Sequence, residues 1–355
     1  MKQKLLVVAL VSALPLFAQA QSNVTMYGML DASIGVEKSD VPGTDSKTVV
    51  SSGTQSASRI GFRGTEDLGN GLKALFNIEA AINGDTGGTN SRLFDRRAVV
   101  GLQGDFGTLT VGREYSPIAS IAGATDILGQ GFYGSNLAVF GTNDLSNGAR
   151  LTRRLDNSVN YKSNAVSGFS LGAAYAAGEN NAENASSGDL AGVSLEYANA
   201  GFYAGAAYQK NKGLPGTATS AVLEKKEYGI GLGYKFGDFE VRGGYLAADP
   251  EAFDNKYEQA NVGVSYAMGA NKFFLNYQQQ ELEVGDAKGR ALSIAYAYTL
   301  SKRTNVYASY AKLRNNETGA FSLTSPAGTI ALAATAAASR DADPSAFNVG
   351  LRHSF

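Results

Sequence analysis

The sequence predicts an all-β fold, a sixteen-stranded antiparallel transmembrane β-barrel, and three observations predict it. The first is alternation. In "ALSIAYAYTL", residues 291–300, Leu292, Ile294, Tyr296, Tyr298 and Leu300 fall on one face of an extended strand, and Ala291, Ser293, Ala295, Ala297 and Thr299 on the other. The second is composition: 355 residues carry 43 Gly, 18 Tyr and 17 Phe but only 44% apolar residues, too few for a helical membrane protein. The third is a run of connections that alternate between short and long.

In chain order, "MKQKLLVVALVSALPLFAQA" comes first. Lys2 and Lys4 precede an apolar run from Leu5 to Phe17, and Ala18-Gln19-Ala20 is a small-x-small cleavage site, so residues 1–20 read as a secretory signal peptide. The remaining 21–355 form the barrel. No second apolar run approaches the length of a spanning helix, so an exported chain that stays in a membrane has to close into a barrel.

Alternating segments then recur. "YGIGLGYKF" sets Tyr228, Ile230, Leu232, Tyr234 and Phe236 against Gly229, Gly231, Gly233 and Lys235. The short connections are 66–71, 104–107, 164–168, 198–201, 236–239, 268–271 and 300–303, each with Gly, Asn, Asp or Ser. Between them lie polar stretches at about 34–55, 84–92, 115–153, 178–188, 212–223, 249–255, 284–289 and 315–343. Seven short turns and eight long loops delimit sixteen strands, an even number with no free edge against lipid. On this reading Leu292, Ile294 and Tyr296 face acyl chains, and Ala291, Ser293 and Ala295 face water in a wide lumen. A soluble sandwich would need large inward side chains to fill its core, and faces of Gly, Ala, Ser, Asn and Lys cannot fill one.

The residue inventory points away from catalysis. The absence of Cys excludes disulfides and thiolate sites. The single histidine, His353, lies two residues from the C-terminus at the barrel rim, which leaves no well-placed base for a triad and no multi-histidine metal site. No metal, cofactor or catalytic residue is expected. The formal charge of -1 gives no bulk attraction for nucleic acid. The absence of Trp leaves Tyr and Phe to form the interfacial girdles.

The chain also resembles a known family, the β-proteobacterial branch of the Gram-negative general porins. The stretches "NVTMYGMLDASI", "SRIGFRGTEDLGNGLKALFNIE", "RRAVVGLQGDFGTLTVGREYSP", "RLDNSVNYKS" and "GLRHSF" carry the resemblance, in order, across essentially the whole chain. It implies a homotrimeric channel in the outer membrane, surrounded by lipid, passing small hydrophilic solutes and ions through a lumen that the third loop narrows. It further implies a basic wall of Arg59, Arg96 and Arg154 facing that loop, with Arg63, Arg97, Arg113 and Arg153 as additional lumen candidates. Adjacent residues of a strand point to opposite faces, so one member of each doublet, Arg96/Arg97 and Arg153/Arg154, is expected outside. Asp126, the one carboxylate between Glu114 and Asp144, is the candidate opposing acid; the sequence departs from the family pattern there, lacking the Pro-Glu-Phe-Gly stretch of some members. The balance of arginines over acids points to a weak anion preference. Val349, Leu351 and Phe355 resemble the terminal strand signal read by the barrel assembly machinery. A solute-specific channel and a non-transporting adhesin or structural barrel are the alternatives.

Overall fold

Strand β1 (Asn23–Lys38) opens the wall, and a computed structural model describes residues 23–141, 150–179, 188–213, 224–251, 255–332 and 337–355. The expected signal peptide, residues 1–20, lies outside the described residues. The second wall position is split: β2 (Lys47–Ser52) pairs with the 32–37 half of β1, and β3 (Arg59–Gly69) with its 23–29 half. There follow β4 (Leu72–Ala81), β5 (Arg97–Gly104), β6 (Gly107–Tyr115), β7 (Arg154–Lys162), β8 (Phe169–Ala176), β9 (Leu190–Asn199) and β10 (Phe202–Lys212). The wall continues through β11 (Glu224–Phe236), β12 (Phe239–Pro250), β13 (Tyr257–Met268), β14 (Asn271–Leu282), β15 (Ala287–Ser301) and β16 (Thr304–Asn315). A small hairpin, β17 (Thr324–Ser325) with β18 (Gly328–Thr329), decorates the last long loop, and β19 (Ser345–Ser354) completes the wall. Among the described residues 17 strands form one sheet, and because β2 and β3 share a position the wall has sixteen.

Closure is antiparallel, from Met29 opposite Ser354 to Lys38 opposite Ser345. Phe355 extends the seam: its N–H donates to the Gly28 carbonyl at 3.1 Å, and its carbonyl accepts the Gly28 N–H at 3.0 Å. A Cβ at Gly28 would stand 2.3 Å from the Phe355 ring, so a glycine is what lets the terminal ring lie across the joint.

Outside, the alternation does what the sequence predicts. Leu292 and Ile294 are 53% and 52% exposed, and Tyr234, Phe236, Phe239 and Tyr266 stack in a chain of aromatic rings with centroids 5.7, 5.7 and 4.5 Å apart. That chain lies beside the short 237–238 turn, where a girdle belongs.

Inside, one expectation is corrected. Ala291, Ser293 and Ala295 do not face open water; they are buried beneath residues 116–141 of the third long loop, and Ser293 Oγ donates to the Tyr133 carbonyl at 2.9 Å. That loop turns inward at Ser116, whose Oγ accepts the Ala119 N–H and caps helix α1 (Pro117–Ala124) with proline at its first turn. The inward glycines of the wall make the bed for it: a Cβ at Gly231 would meet Thr125 at 2.1 Å, and one at Gly263 would meet Ile127 at 2.1 Å. Ile118, Ile121, Tyr133, Val139 and Leu151 then pack with Leu246, Tyr257, Leu282 and Leu313 of the wall and with Phe321, Leu323 and Ile330 of the last loop. Each fully buried isoleucine there contributes roughly 1.5–3 kcal/mol, since the lumen is wet and burial removes its apolar surface from water. One side of the barrel is therefore a solid core, and the passage is displaced towards β3–β7.

The break between β2 and β3 braces the loop from across the barrel. Asp31 Oδ2 accepts the N–H groups of Gln55 and Ser56 at 3.1 and 2.8 Å, and the Thr54 carbonyl accepts the Phe132 N–H at 2.6 Å. Residues 53–58 thus bridge β1 to the loop tip.

Candidate functional site: the arginine-lined gap

Arg59 opens β3, Arg96 stands one residue before β5, and Arg154 opens β7. Glu79 of β4 sits among them. Its Oε1 accepts from Arg96 Nε at 2.6 Å, while Oε2 lies 3.7 Å from Arg59 Nε and accepts the Tyr27 hydroxyl at 3.0 Å. The next group is Tyr115 at the end of β6. Its hydroxyl oxygen accepts from Arg96 Nη2 at 3.1 Å and from Arg154 Nη2 at 2.9 Å, and the Arg154 guanidinium stands 4.6 Å above its ring. Arg153 reaches the other way, donating from Nη2 to Gln130 Oε1 of the loop tip at 2.7 Å. These four arginines and Gln130 border one cavity of about 370 Å³.

Both members of each doublet reach the lumen side, contrary to the expectation of one in and one out. Arg96 and Arg153 each precede the first paired residue of their strand, so ladder alternation does not bind them. Arg97 reaches the lumen too, where it pairs with Glu114. Arg63 shares the inward alternation of Arg59, exposed nearer the short turns, with its guanidinium 5.1 Å over the Tyr27 ring. Arg113 is the exception and corrects the expectation of a lumen role. It pairs with Ala98 on the outward side shared with Val111 and Val100, and it is tied to Asp156 and the Asp95 carbonyl.

Asp126 is likewise not brought to the gap. It is fully buried inside the loop, where its carboxylate accepts the N–H groups of Leu128, Gln130 and Asn136 at 3.0, 2.9 and 3.1 Å. Burial pushes its pKa up to about 6, against the opposing pull of those three donors. Its work is to shape the tip. Gln130 and Phe132 hold φ of 57° and 49°, a left-handed conformation that costs a side-chain-bearing residue energy and persists where neighbours impose it. Among the described residues, the loop side of the gap consequently presents an amide, not an acid.

Burial, with Arg154 and Arg96 close by, pushes Arg153 down to about 10, which leaves it charged at neutral pH. Of the four guanidiniums at the gap, Glu79 engages those of Arg96 and Arg59, and Asp95 on the cavity rim is engaged by the Ala81 N–H and the Asn90 amide. Sequence reasoning missed Glu79, Tyr115 and Gln130. Inward alternation with Asn77 could have placed Glu79 in the lumen, but only register puts it between two arginines. It also missed Arg352 of "GLRHSF", which donates to Ser56 Oγ at 3.1 Å on the short-turn side of the same wall. Val349, Leu351 and Phe355 all point outward, 44%, 46% and 39% exposed.

Comparison with known proteins fits this geometry. The profile of a family described as Gram-negative porin matches residues 6–318. Outer membrane porin protein 32 of Delftia acidovorans is 31% identical over the full length of both chains. An outer membrane porin protein of Bordetella pertussis is 30% identical, covering 88% of this chain and 94% of its own. Among solved structures, the anion-selective porin from Comamonas acidovorans superposes with a TM-score of 0.82 at 28% identity, covering 94% of this chain and all of its own. A barrel closed against lipid, an inward third loop and relatives matched end to end lead to one conclusion: the chain belongs to the Gram-negative porin family and is an outer-membrane porin, a non-enzymatic channel.

Proposed function

We propose that this porin passes small hydrophilic solutes by passive diffusion and prefers anions to cations. The observation that carries the preference is the convergence of Arg59, Arg96, Arg153 and Arg154 on a gap whose loop side, among the described residues, offers Gln130 and no carboxylate. The anion selectivity of the Comamonas acidovorans porin supports the same reading. Replacing Arg59, Arg96 or Arg154 with Gln removes one charge at about 5 Å from a passing ion, worth about 0.8 kcal/mol at the dielectric of water, or roughly fourfold in permeability ratio. Reversal potentials in a salt gradient should move towards cation preference, and the movement should shrink near 1 M salt, where screening acts over ~3 Å. Arg63→Gln should do less and Arg113→Gln nothing. Unchanged potentials for all three gap arginines would remove them from the selectivity mechanism.

The working unit is a homotrimer joined through the outer faces of β1–β6. Exposed tyrosines lie on β8–β16 (Tyr175, Tyr208, Tyr234, Tyr277, Tyr298 and Tyr310), whereas the large apolar side chains that strands β1–β6 expose are aliphatic or methionine, such as Val24, Met26, Ile34 and Val100, with an exposed aromatic, Phe106, in the turn between β5 and β6. A wall without interfacial tyrosine suits contact with another barrel better than contact with headgroups. Electrophoresis in mild detergent without heating should show a trimer band that collapses on heating, and a monomer band alone would exclude this assembly. Residues 1–20 direct export and are removed, leaving Gln21 at the N-terminus.

A further inference from the structure

On the outer wall, β10 carries small side chains between two strands of large ones. Its outward positions run Phe202, Ala204, Ala206 and Tyr208. Register sets Ala204 between Tyr197 of β9 and Leu232 of β11, and Ala206 between Leu195 and Ile230. The result is an apolar groove of about 840 Å³ that continues across Gly243 of β12, itself flanked by Leu232 and Val262. A second hollow of about 420 Å³ adjoins it at Ala206 and ends against Tyr208, Tyr228 and Tyr245.

The groove has an open end and a closed one. Towards the short turns it opens among the rings of Phe169, Tyr197 and Phe202, whose centroids follow one another at 4.7 and 6.1 Å. Towards the long loops the Tyr228 and Tyr245 rings stand 6.4 Å apart, with the Tyr245 hydroxyl donating to Glu258 and Lys256 ion-paired to that carboxylate. From Phe202 to Tyr208 the strand covers ~20 Å, and a tilt of ~40° makes this ~15 Å of depth, half of a hydrocarbon core of ~30 Å. Among the described residues the one charged side chain in the lining is Arg242, which points into the lumen and is held there by Glu240. The wall is also thin here. Behind the alanines, a Cβ at Gly205 would meet Ile121 of helix α1 at 2.8 Å, so the strands that border the groove outside carry the third loop inside.

We propose that this groove holds one acyl chain of a glycerophospholipid of the periplasmic leaflet, a lipid that stays with the barrel while the surrounding bilayer exchanges. The proposal goes beyond the channel reading and does not depend on the anion preference. Within a membrane no hydrophobic gain separates a groove from bulk lipid, so close packing decides what stays. Disordered tails leave voids over a slot between Leu195 and Ile230, whereas one straight chain touches the alanine floor and both flanks. The leaflet follows from the open end, since short turns mark the periplasmic side of such barrels and a chain from the outer leaflet would have to cross the Tyr208, Tyr228 and Tyr245 rings. The lining offers no outward charge, so it makes no demand for an anionic head group. Lying on β9–β12, the groove also faces lipid in a trimer joined through β1–β6.

The test is lipid retention by the porin purified from outer membranes in mild detergent and washed until bulk lipid is gone, read by native mass spectrometry and by extraction. Wild type should keep one phospholipid per barrel, and palmitoyl-oleoyl phosphatidylethanolamine added after harsher stripping should restore it. The Ala204→Leu, Ala206→Leu double variant fills the floor with side chains that are ordinary on a lipid-facing wall. It should lose the retained phospholipid while its conductance and reversal potential match wild type. Ala260→Leu, exposed on β13 outside the groove, should keep the lipid. If the double variant does not insert, Ala206→Leu alone decides by the same reading. No retained phospholipid in wild type, or equal retention in wild type and the double variant, overturns the site. A phosphorylated glycolipid of the outer leaflet retained in its place overturns the occupant. Loss of a trimer band in the double variant would assign the groove to contact between copies of the chain and overturn the proposal as well.

Discussion

Glu79 sets how much of the arginine charge a passing ion feels. It is held by Arg96 at 2.6 Å and stands 3.7 Å from Arg59, so it offsets part of two guanidiniums without displacing either. Glu79→Gln should therefore strengthen anion preference, by roughly the fourfold that one charge is worth at this range, read as a reversal potential moving opposite to that of the arginine variants. A move towards cation preference would mean that Glu79 holds the arginines in place more than it neutralises them. Tyr115 does the spacing: with Arg96 and Arg154 both donating to its hydroxyl oxygen, the phenol keeps two like charges at fixed positions. The sequence displayed the arginines because charge on an alternating strand is conspicuous. It hid Glu79, whose partners lie one strand away on each side, and Arg113 enters only as one more arginine of a matching stretch, although alternation with Leu109 and Val111 already points it outward.

At the scale of the element, the third loop is a folded object with its own core, cap and internal acid. Replacing Asp126 with Asn leaves a single acceptor oxygen for three buried N–H donors, a loss of about 1–3 kcal/mol that falls on the tip alone. The barrel should insert normally while Gln130 loses its fixed position, and open-channel current noise should rise. Noise and conductance matching wild type would show that the Thr54 and Ser293 contacts hold the tip without the acid. Strand number, turn placement and the outward face were legible in the sequence because lipid admits only one pattern on that side. The inward face was not. Glycine and alanine at alternate positions read the same whether they border water or lie beneath a helix, as Gly231 lies beneath Thr125. Alternation separates two faces without naming what fills either.

For the whole molecule, the C-terminal strand closes the wall through Phe355, and we propose that the same residue marks the chain for assembly. We expect its deletion to cut outer-membrane levels of the porin far more than a truncation at an exposed rim would, because recognition by the assembly machinery precedes folding. Immunoblotting of outer-membrane fractions gives the answer, and normal levels of the deletion would end the assembly role. The joint that Phe355 makes with Gly28 also fixes an order of events. Those two residues are partners in space at opposite ends of the wall, and drawing together the ends of a free chain of some three hundred residues costs about 5 kcal/mol in entropy before any contact repays it. The intervening strands must already be zipped for that cost to fall, so the seam forms last. Until it does, β1 and β19 stand as two raw edges. The time between the first hairpin and the final residue is the interval in which a neighbouring chain could pair where this chain's own end belongs.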